Sequence, residues 1–454
     1  MSVAALFFDQ ALLPGGWARD VRLTMAAGRL QAVEAQATPQ PGDERHAIGL
    51  PGMHNLHSHA FQRGMAGLAE IRGTTTDSFW TWREVMYRFV GRMNPEDIEA
   101  VAAQAFVEML ESGFLRVGEF HYIHHDISGA PYGNIAELAE RIAAAATATG
   151  IGLTLLPVFY AHAGFGGQAP NEGQRRFIND LDGFAKLLDA SRRAVAGVPG
   201  AVLGVAPHSL RAVTPDQLAA VAMLGDGPIH IHIAEQTREV EDCIAWSGQR
   251  PIDWLLDHAA VDRRWCLIHA THATPDEIRR MALSGAVAGL CPVTEASLGD
   301  GTFAAPDFIG QGGAFGIGTD SNVLIGVSDE LRQLEYSQRL ARQIRNAVTS
   351  ETSPSTGRAL FDHALQGGAQ ALGLAEVGLL AGASADIVAL DADNAALVAR
   401  DGDAILDSLV FAARRSPVDA VWVRGQLLVS DGRHHAAEPI ERRFRDKLQR
   451  LLRA

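Results

Sequence analysis

The sequence predicts an α/β protein, a (β/α)8 barrel of TIM type carrying a small β domain assembled from both chain ends. Eight short apolar runs of strand length recur between Met53 and Asp320, roughly 25 to 50 residues apart and mostly separated by helical periodicity. His, Glu and Asp collect at the carboxyl ends of these runs while the amino ends are apolar, and barrels of parallel strands hold their chemistry on that rim. The residues before about 50 and after about 375 read instead as short strands with Gly and Pro turns. An open doubly wound sheet is the competing architecture, but it would place polar residues at one crevice and not around every strand end.

In chain order, residues 1–50 supply the first strands of the small domain and residues 51–374 the barrel. The barrel strands are read as ending at His59, Tyr122, Tyr160, Ser209, Glu235, His272, Glu295 and Ser321. Helices are expected over Pro95 to Glu111, Asn134 to Ala148, Gln174 to Ala194 and Thr214 to Leu224, the last with Asp216 placed for the first-turn dipole. Residues 375–440 hold ASADIVALD and VDAVWVRGQLLVSDG, which alternate or run apolar between turns. Neither terminal piece can bury a sheet alone, so the two are expected to pair as a small β-sandwich with the barrel inserted between them. Residues 441–454 read as a charged amphipathic helix packing one apolar stripe, with a basic binding element as the alternative.

A chain of 454 residues, 47% apolar and 20% charged, can bury a substantial core. The 53 acidic residues outnumber the 39 basic ones, giving a formal charge of -14, and no long Lys/Arg run is present. That balance argues against nucleic acid or an anionic membrane as a partner. Cys243, Cys266 and Cys291 make neither a disulfide framework nor a C-x-x-C knuckle, and the amino terminus lacks a basic leader. A cytoplasmic protein is the expectation. The uncharged stretch from Ile142 to Tyr160 would attract a membrane scan, yet Gly150, Gly152 and Pro157 interrupt it, and a helix pattern turns there into a strand pattern.

His57 and His59, two apart at a strand end, point to one face and can reach one metal ion. Alone the pair is a weak signal, and His54 shows how readily histidine occurs here. The weight comes from His232, His269 and Asp320 at the ends of the fifth, sixth and eighth strands, on the same rim. Three neutral imidazoles and a carboxylate suit one borderline divalent ion such as Zn2+, with a position open for water. Glu235 follows His232 by three positions and can stand near the metal without ligating it, moving a proton from nucleophile to leaving nitrogen. Capping the following helix is its alternative role, and the two are compatible.

These segments, PGMHNLHSHAFQR, HIHIAEQ, LIHATH and GIGTDSN in this order, resemble the amidohydrolase superfamily over nearly the whole chain. The resemblance implies a metal-dependent hydrolase on a distorted (β/α)8 barrel with a small β domain. It implies His57, His59, His232 and Asp320 as metal ligands, His269 as the residue orienting the attacking water, and Glu235 as proton shuttle. Many members bridge two metals with a carboxylated lysine ending the fourth strand. Here the lysines are Lys186 and Lys447, and neither ends a barrel strand, so the resemblance narrows to the mononuclear deaminase branch and to release of ammonia from a C=N bond.

HSHAFQRGMAG, DSFWTWREVMYRF, VGEFHYIHHD, PHSLRAV and CPVTEASLGDG together resemble the branch that acts on N-formimidoyl-L-glutamate during histidine breakdown. That substrate carries two carboxylates and a cationic amidine, so its site should offer arginines at one end and acid groups at the other. Arg211, just past the fourth strand, and Arg83, in the long loop after the first, are the candidates for the carboxylates. By resemblance Gln62, Tyr122 and His208 complete the substrate contacts. Each has a plainer reading: a surface arginine for Arg83, a helix-end charge for Arg211, a packed aromatic for Tyr122, turn scaffolding for Gln62 and a satisfied strand histidine for His208.

The cluster His121, His124 and His125 is not expected to bind metal, because alternation separates His121 from Tyr122 and the other two fall in a loop. Cys291 lacks an assigned base for a nucleophilic role. Glu295 is expected to hold the loop after the seventh strand more than to do chemistry. The segment Arg72 to Met93 is expected to pack or to meet another subunit. The resemblance implies a homodimer, in which Arg83 could reach the neighbouring site. Two other functions stay open: deamination of an aminated heterocycle such as guanine or cytosine, which would need few arginines and an aromatic wall, and a non-catalytic metal-binding barrel.

Overall fold

The computed structural model describes residues 4–71, 78–349 and 353–453. The chain begins with four strands, β1 (Ala4–Leu13), β2 (Gly16–Ala26), β3 (Arg29–Glu34) and β4 (Glu44–Pro51). Nine short strands follow: β5 (Met53–Ser58), β6 (Phe114–His121), β7 (Gly152–Phe159), β8 (Val202–Leu203), β9 (Ala206–Pro207), β10 (Ile229–Ile233), β11 (Trp265–His269), β12 (Val287–Leu290) and β13 (Ala314–Ile317). Four more complete the strands of the described residues: β14 (Ile387–Leu390), β15 (Val418–Val423), β16 (Gln426–Ser430) and β17 (Arg433–His434).

Strands from both ends of the chain share one eight-stranded sheet in the order β17-β16-β15-β14-β4-β1-β2-β3. The seam is the antiparallel pair β14 with β4, where Ile387 faces Pro51 and Leu390 faces Ile48. Alternating burial along β2 gives this sheet an apolar face, and Phe8, Val21, Leu23, Ile387 and Trp422 pack into its own core. The pairing is a single continuous sheet by hydrogen bonding.

Strands β5 to β13 run parallel in two arcs, β5-β6-β7-β8 with β9 also on β7, and β10-β11-β12-β13. Isolated parallel bridges join the arcs: Ser58 with Asp320 on one side, and Val205 with Ile229 and Ser209 with His232 on the other. The result is a TIM-type arrangement with irregular joints. The fourth strand is cut into β8 and β9 at Gly204, where a Cβ would lie 2.4 Å from the Pro228 carbonyl oxygen, a close approach that only glycine permits. Strands β6, β7, β10 and β11 are buried along their whole length, the pattern of a sheet covered on both faces.

The helices relevant to the site are α1 (Phe79–Val90), α2 (Pro95–Glu111), α3 (Glu137–Thr149), α4 (Leu181–Val195), α5 (Pro215–Ala222) and α6 (Thr237–Ser247). Asn94 with Pro95, and Thr214 with Pro215, open α2 and α5 through side-chain caps. Helix α4 starts at Leu181 and not at Gln174, because the Asp180 carboxylate accepts from the Gly183 amide and sets the first turn there. The Ile142 to Tyr160 stretch divides into α3 and β7 at Gly150, which has φ 77°. Among the described residues no helix is long and apolar enough to cross a membrane.

Besides the later start of α4 and the earlier strand ends, such as β11 ending at His269 and not at His272, Arg83 and Glu295 lie elsewhere than in the sequence reading. Arg83 lies in helix α1, where Ser78 accepts from the Trp80 amide to open the helix, and not in a loop. Glu295 belongs to a short helix, Pro292–Leu298, because β12 already ends at Leu290 and Pro292 starts the next turn. Part of the Arg72 to Met93 segment, residues 72–77, lies outside the described residues.

Candidate active site

The polar residues sit at or just beyond the carboxyl ends of the strands, where the backbone leaves the sheet in unusual conformations. Ala234, His269, Ala270, Asp320 and Asn322 all have positive φ, between 43° and 68°. Non-glycine residues in this region cost free energy and persist where surrounding contacts fix them, often at functional sites. Asn322 supplies those contacts at the β13 end, donating from Nδ2 to Ser58 Oγ and to the carbonyls of His59 and Asp320, each at 3.1 Å. Thr319 Oγ1 accepts from Asn55 at 2.6 Å and donates to Asn322 at 2.6 Å. This buried network ties β5 to the segment carrying Asp320.

His57, His59, His232 and Asp320 converge at the floor of the rim, with one ligand atom of each within 4.8 Å of the others. His59 Nδ1 donates to the Phe120 carbonyl and His232 Nδ1 to the His208 carbonyl, both at 3.0 Å, so both Nε2 lone pairs turn inward. His57 Nε2 lies 3.1 Å from His232 Nε2, and Asp320 Oδ1 lies 3.2 Å from His59 Nε2 and 3.5 Å from His57 Nε2. Burial holds the His57 imidazole down to about 3 and lowers His59 and His232 as well, so all three are neutral. Burial alone would raise Asp320, but the adjoining histidines outweigh it and hold its carboxyl well below the usual range. Neutral nitrogen donors and an ionised carboxylate around one point fit a divalent cation.

Above this group lies a cavity open to solvent, lined among others by His59, Gln62, Arg83, Tyr122, His208, Arg211, His232, Glu235, His269 and Asp320. Every residue assigned a catalytic, substrate-binding or metal-binding role from the sequence lines it except His57, which forms part of the floor. Gln62 Nε2 donates to the Tyr122 hydroxyl at 3.0 Å. His208 packs edge-on to Tyr160 with ring centroids 4.5 Å apart, and burial holds it neutral. Arg83 and Arg211 each keep a buried Nε without a hydrogen-bond partner among the described residues.

The acid groups stand close beside Arg211. Glu235 Oε1 is 3.9 Å from His269 Nε2, and its Oε2 is 3.8 Å from the Arg211 guanidinium. Burial raises the Glu235 carboxyl, while His269 and Arg211 oppose the rise. Burial would lower His269, but Glu235, Glu295 and Asp320 prevail and push the imidazole up to about 10. Glu295 Oε1 accepts from His269 Nδ1 at 3.2 Å and from the Cys291 amide at 2.9 Å, so it both orients His269 and holds the loop. Burial pushes the Cys291 thiol well up, which leaves it a poor nucleophile.

Several groups in this site escaped the sequence reading. Helix α1 and its surroundings give the cavity an aromatic wall of Phe79, Trp82, Tyr87, Tyr160 and Phe177. Arg83 lies 4.6 Å over the Trp80 ring, and Arg238 lies 4.9 Å from the same ring. Glu239 and Asn322 brace the backbone of the site and carried no motif of their own, although Asn322 closes the quoted GIGTDSN segment. His121, His124 and His125 remain apart from the metal group, with His124 and His125 donating to the Val158 and Ile178 carbonyls at 2.8 Å.

Comparison with known proteins follows the same lines. A model of the amidohydrolase family matches residues 48–428, and a model described as formimidoylglutamate deiminase HutF, N-terminal domain, matches residues 3–47. A formimidoylglutamate deiminase from Pseudomonas aeruginosa is 53% identical over 453 residues, covering 99% of this chain and 100% of the relative. A 5-methylthioadenosine/S-adenosylhomocysteine deaminase from Natronomonas pharaonis is 27% identical over 95% of this chain and 93% of its own length. Among solved structures, an amidohydrolase from Brucella melitensis superposes with a TM-score of 0.96 at 59% identity, covering 99% and 100% of the two chains. A zinc-bound adenosine deaminase from Xanthomonas campestris, at 21% identity, 99% coverage of both chains and TM-score 0.80, shares the fold.

Proposed function

The chain belongs to the amidohydrolase family, and from that premise we propose that it hydrolyses N-formimidoyl-L-glutamate to N-formyl-L-glutamate and ammonia, a step of histidine degradation. The observation that carries this reading is the pairing of two arginines with unspent buried donors, Arg83 and Arg211, in the cavity that also holds Glu235 and the His/Asp group. A substrate with two carboxylates and an amidine complements that arrangement end to end. The full-length likeness to the Pseudomonas aeruginosa deiminase supports the same substrate.

In this reading His57, His59, His232 and Asp320 hold one divalent cation, taken as zinc. Bound there, such an ion acidifies a water molecule and polarises the carbon under attack. Asp320 and His269 orient the water toward the formimidoyl carbon. Glu235 takes the proton released as the C–O bond forms and passes it to the terminal nitrogen. The C–N bond to that nitrogen then breaks, and ammonia leaves while the glutamate nitrogen stays bound to the new formyl group. Arg83 and Arg211 bind the two carboxylates, and Gln62, Tyr122 and His208 orient the chain between them. His208, held neutral, can accept or donate one hydrogen bond without repelling a cationic amidine. The enzyme is taken to be a cytoplasmic homodimer; three buried free cysteines agree with a reducing compartment, and sedimentation at working concentration tests the assembly.

The deciding experiment measures ammonia release by zinc-loaded protein from N-formimidoyl-L-glutamate, with N-formimidoyl-L-aspartate, guanine and cytosine alongside. Preferential turnover of the glutamate compound is expected. Faster turnover of either base would assign the aromatic wall of the cavity to a heterocycle and overturn the substrate reading.

A further inference from the structure

Glu239 is fully buried in the first turn of α6, yet it is not part of the cavity lining. Its helix has Gln236 at the N-cap with no side-chain cap hydrogen bond. The carboxyl of Glu239 instead turns back: Oε1 accepts from the Ala234 amide at 3.3 Å and Oε2 from the Glu235 amide at 3.1 Å. Those amides belong to the turn in which Ala234 has φ 49°, a conformation that alanine rarely adopts and that needs outside support. The same Oε2 lies 3.9 Å from the Arg211 guanidinium, whose NH2 group also lies 3.8 Å from Glu235.

We propose that Glu239 is a positioning residue that locks the Glu235 turn and the Arg211 guanidinium into one unit, so that the two ends of the substrate are held at a set separation. The inference deepens the deiminase reading and rests on it for the roles of Glu235 and Arg211. Without Glu239, the turn at Ala234 loses both of its amide acceptors, and Arg211 loses one of its two carboxylate neighbours. Glu235 would then sample positions away from the reacting nitrogen, and a misplacement of about 1 Å at such a group costs roughly 100-fold in rate.

The test uses the full-length, metal-loaded protein and two readouts. Hydrogen exchange followed by mass spectrometry reports the amides of Ala234 and Glu235 directly and needs no substrate. Steady-state kinetics with N-formimidoyl-L-glutamate report kcat and KM. Glu239→Gln keeps the size but loses the charge and one acceptor oxygen. It is expected to speed exchange at 234 and 235 by about tenfold or more, with the body of α6 unchanged, and to lower kcat by roughly 100-fold. Its rise in KM should vanish in an Arg211→Met background, because that part of the effect runs through Arg211. Glu239→Asp keeps the charge but is too short to reach both amides; it should speed exchange while leaving KM near that of the parent. Unchanged exchange in either variant, a kcat loss under about threefold in Glu239→Gln, or KM effects that simply multiply with those of Arg211→Met would overturn the proposal. Failure of the parent protein to turn over N-formimidoyl-L-glutamate would remove the deiminase reading, while the exchange measurement would still decide the hold of Glu239 on the two amides.

Discussion

Replacing Arg211 by Met removes the guanidinium while nearly keeping the volume, and its consequence can be worked from the geometry. The Arg211 side chain is 11% exposed, its Nε has no partner among the described residues, and its carboxylate neighbours stand off at 3.8 and 3.9 Å. The guanidinium is therefore charged and desolvated but has donors left for a ligand. Burial would lower its pKa, yet Glu239 and Glu235 outweigh burial and raise it, so the charge is secure at any working pH. A hydrogen bond to a charged group contributes about 1.5 to 3 kcal/mol, and truncating one partner of a buried charge pair costs about 2 to 5 kcal/mol. Taking about 3 kcal/mol, the loss corresponds to roughly 150-fold in affinity. In the variant the substrate carboxylate would also face Glu235 and Glu239 without an intervening cation, which pushes the penalty toward the upper end. Most of the effect should fall on KM, because in the proposed reading Arg211 binds a substrate carboxylate and not the reacting carbon. The assay is ammonia release across a wide range of substrate concentration, with metal content measured on the same sample. A KM within about threefold of the parent would refute the placement of a substrate carboxylate on Arg211.

Three further outcomes are expected. Glu235→Gln should retain metal and lose roughly 100- to 10,000-fold in kcat, the range for removing a positioned proton carrier, and a near-parental rate would take Glu235 out of that role. Removing metal with a chelator should abolish turnover and lower the thermal midpoint, since an ion bound only by the folded state stabilises it by mass action; readdition of zinc should restore both, and a midpoint indifferent to metal would speak against the four-residue group as the site. Glu119 is 1% exposed in β6, and burial pushes its carboxyl up to about 8 against a usual value near 4.5, with the Ala60 amide opposing. Because the folded pKa is the higher one, the native state keeps a proton that the unfolded chain gives up between these values. Stability should therefore fall as pH rises from about 4.5 to 8, by up to about 1.4 kcal/mol per unit from this group, and level off above 8. Glu119→Gln should flatten that slope in urea titrations at pH 6 and pH 8, and an equal slope in both proteins would show that Glu119 does not carry it.

The parts of this protein that were legible from its sequence share a physical feature. The direction of a side chain within a strand depends only on parity, so HNLHSH already placed His57 and His59 on one face. The alternation of short apolar runs with helical segments is likewise local, and it pointed to parallel β/α units before any contact was known. Helix starts were legible where a capping residue stands beside a proline, as at Asn94 and Thr214, and misread where the cap lay further on, as at Asp180. Arg83 was misplaced because its segment shows neither a strong heptad nor a proline start; the cap at Ser78 and packing of the Trp and Phe side chains make it a helix.

By itself, then, the sequence determined the strand and helix alphabet, the two-apart histidines and the inventory of histidines, arginines and acids, because each depends on spacing along the chain. Only the tertiary structure decided that groups 175 residues apart, His57 and His232, bring their nitrogens to 3.1 Å, and that Glu235 and Arg211 come within 3.8 Å of one another in one cavity. It also decided the contacts of Asn322, Glu295 and Glu239, which depend on left-handed turns and on side chains reaching back across them. Such turns are stable only when non-local partners satisfy their amides, and the register that brings those partners together is set by closure of the whole barrel, not by any one segment.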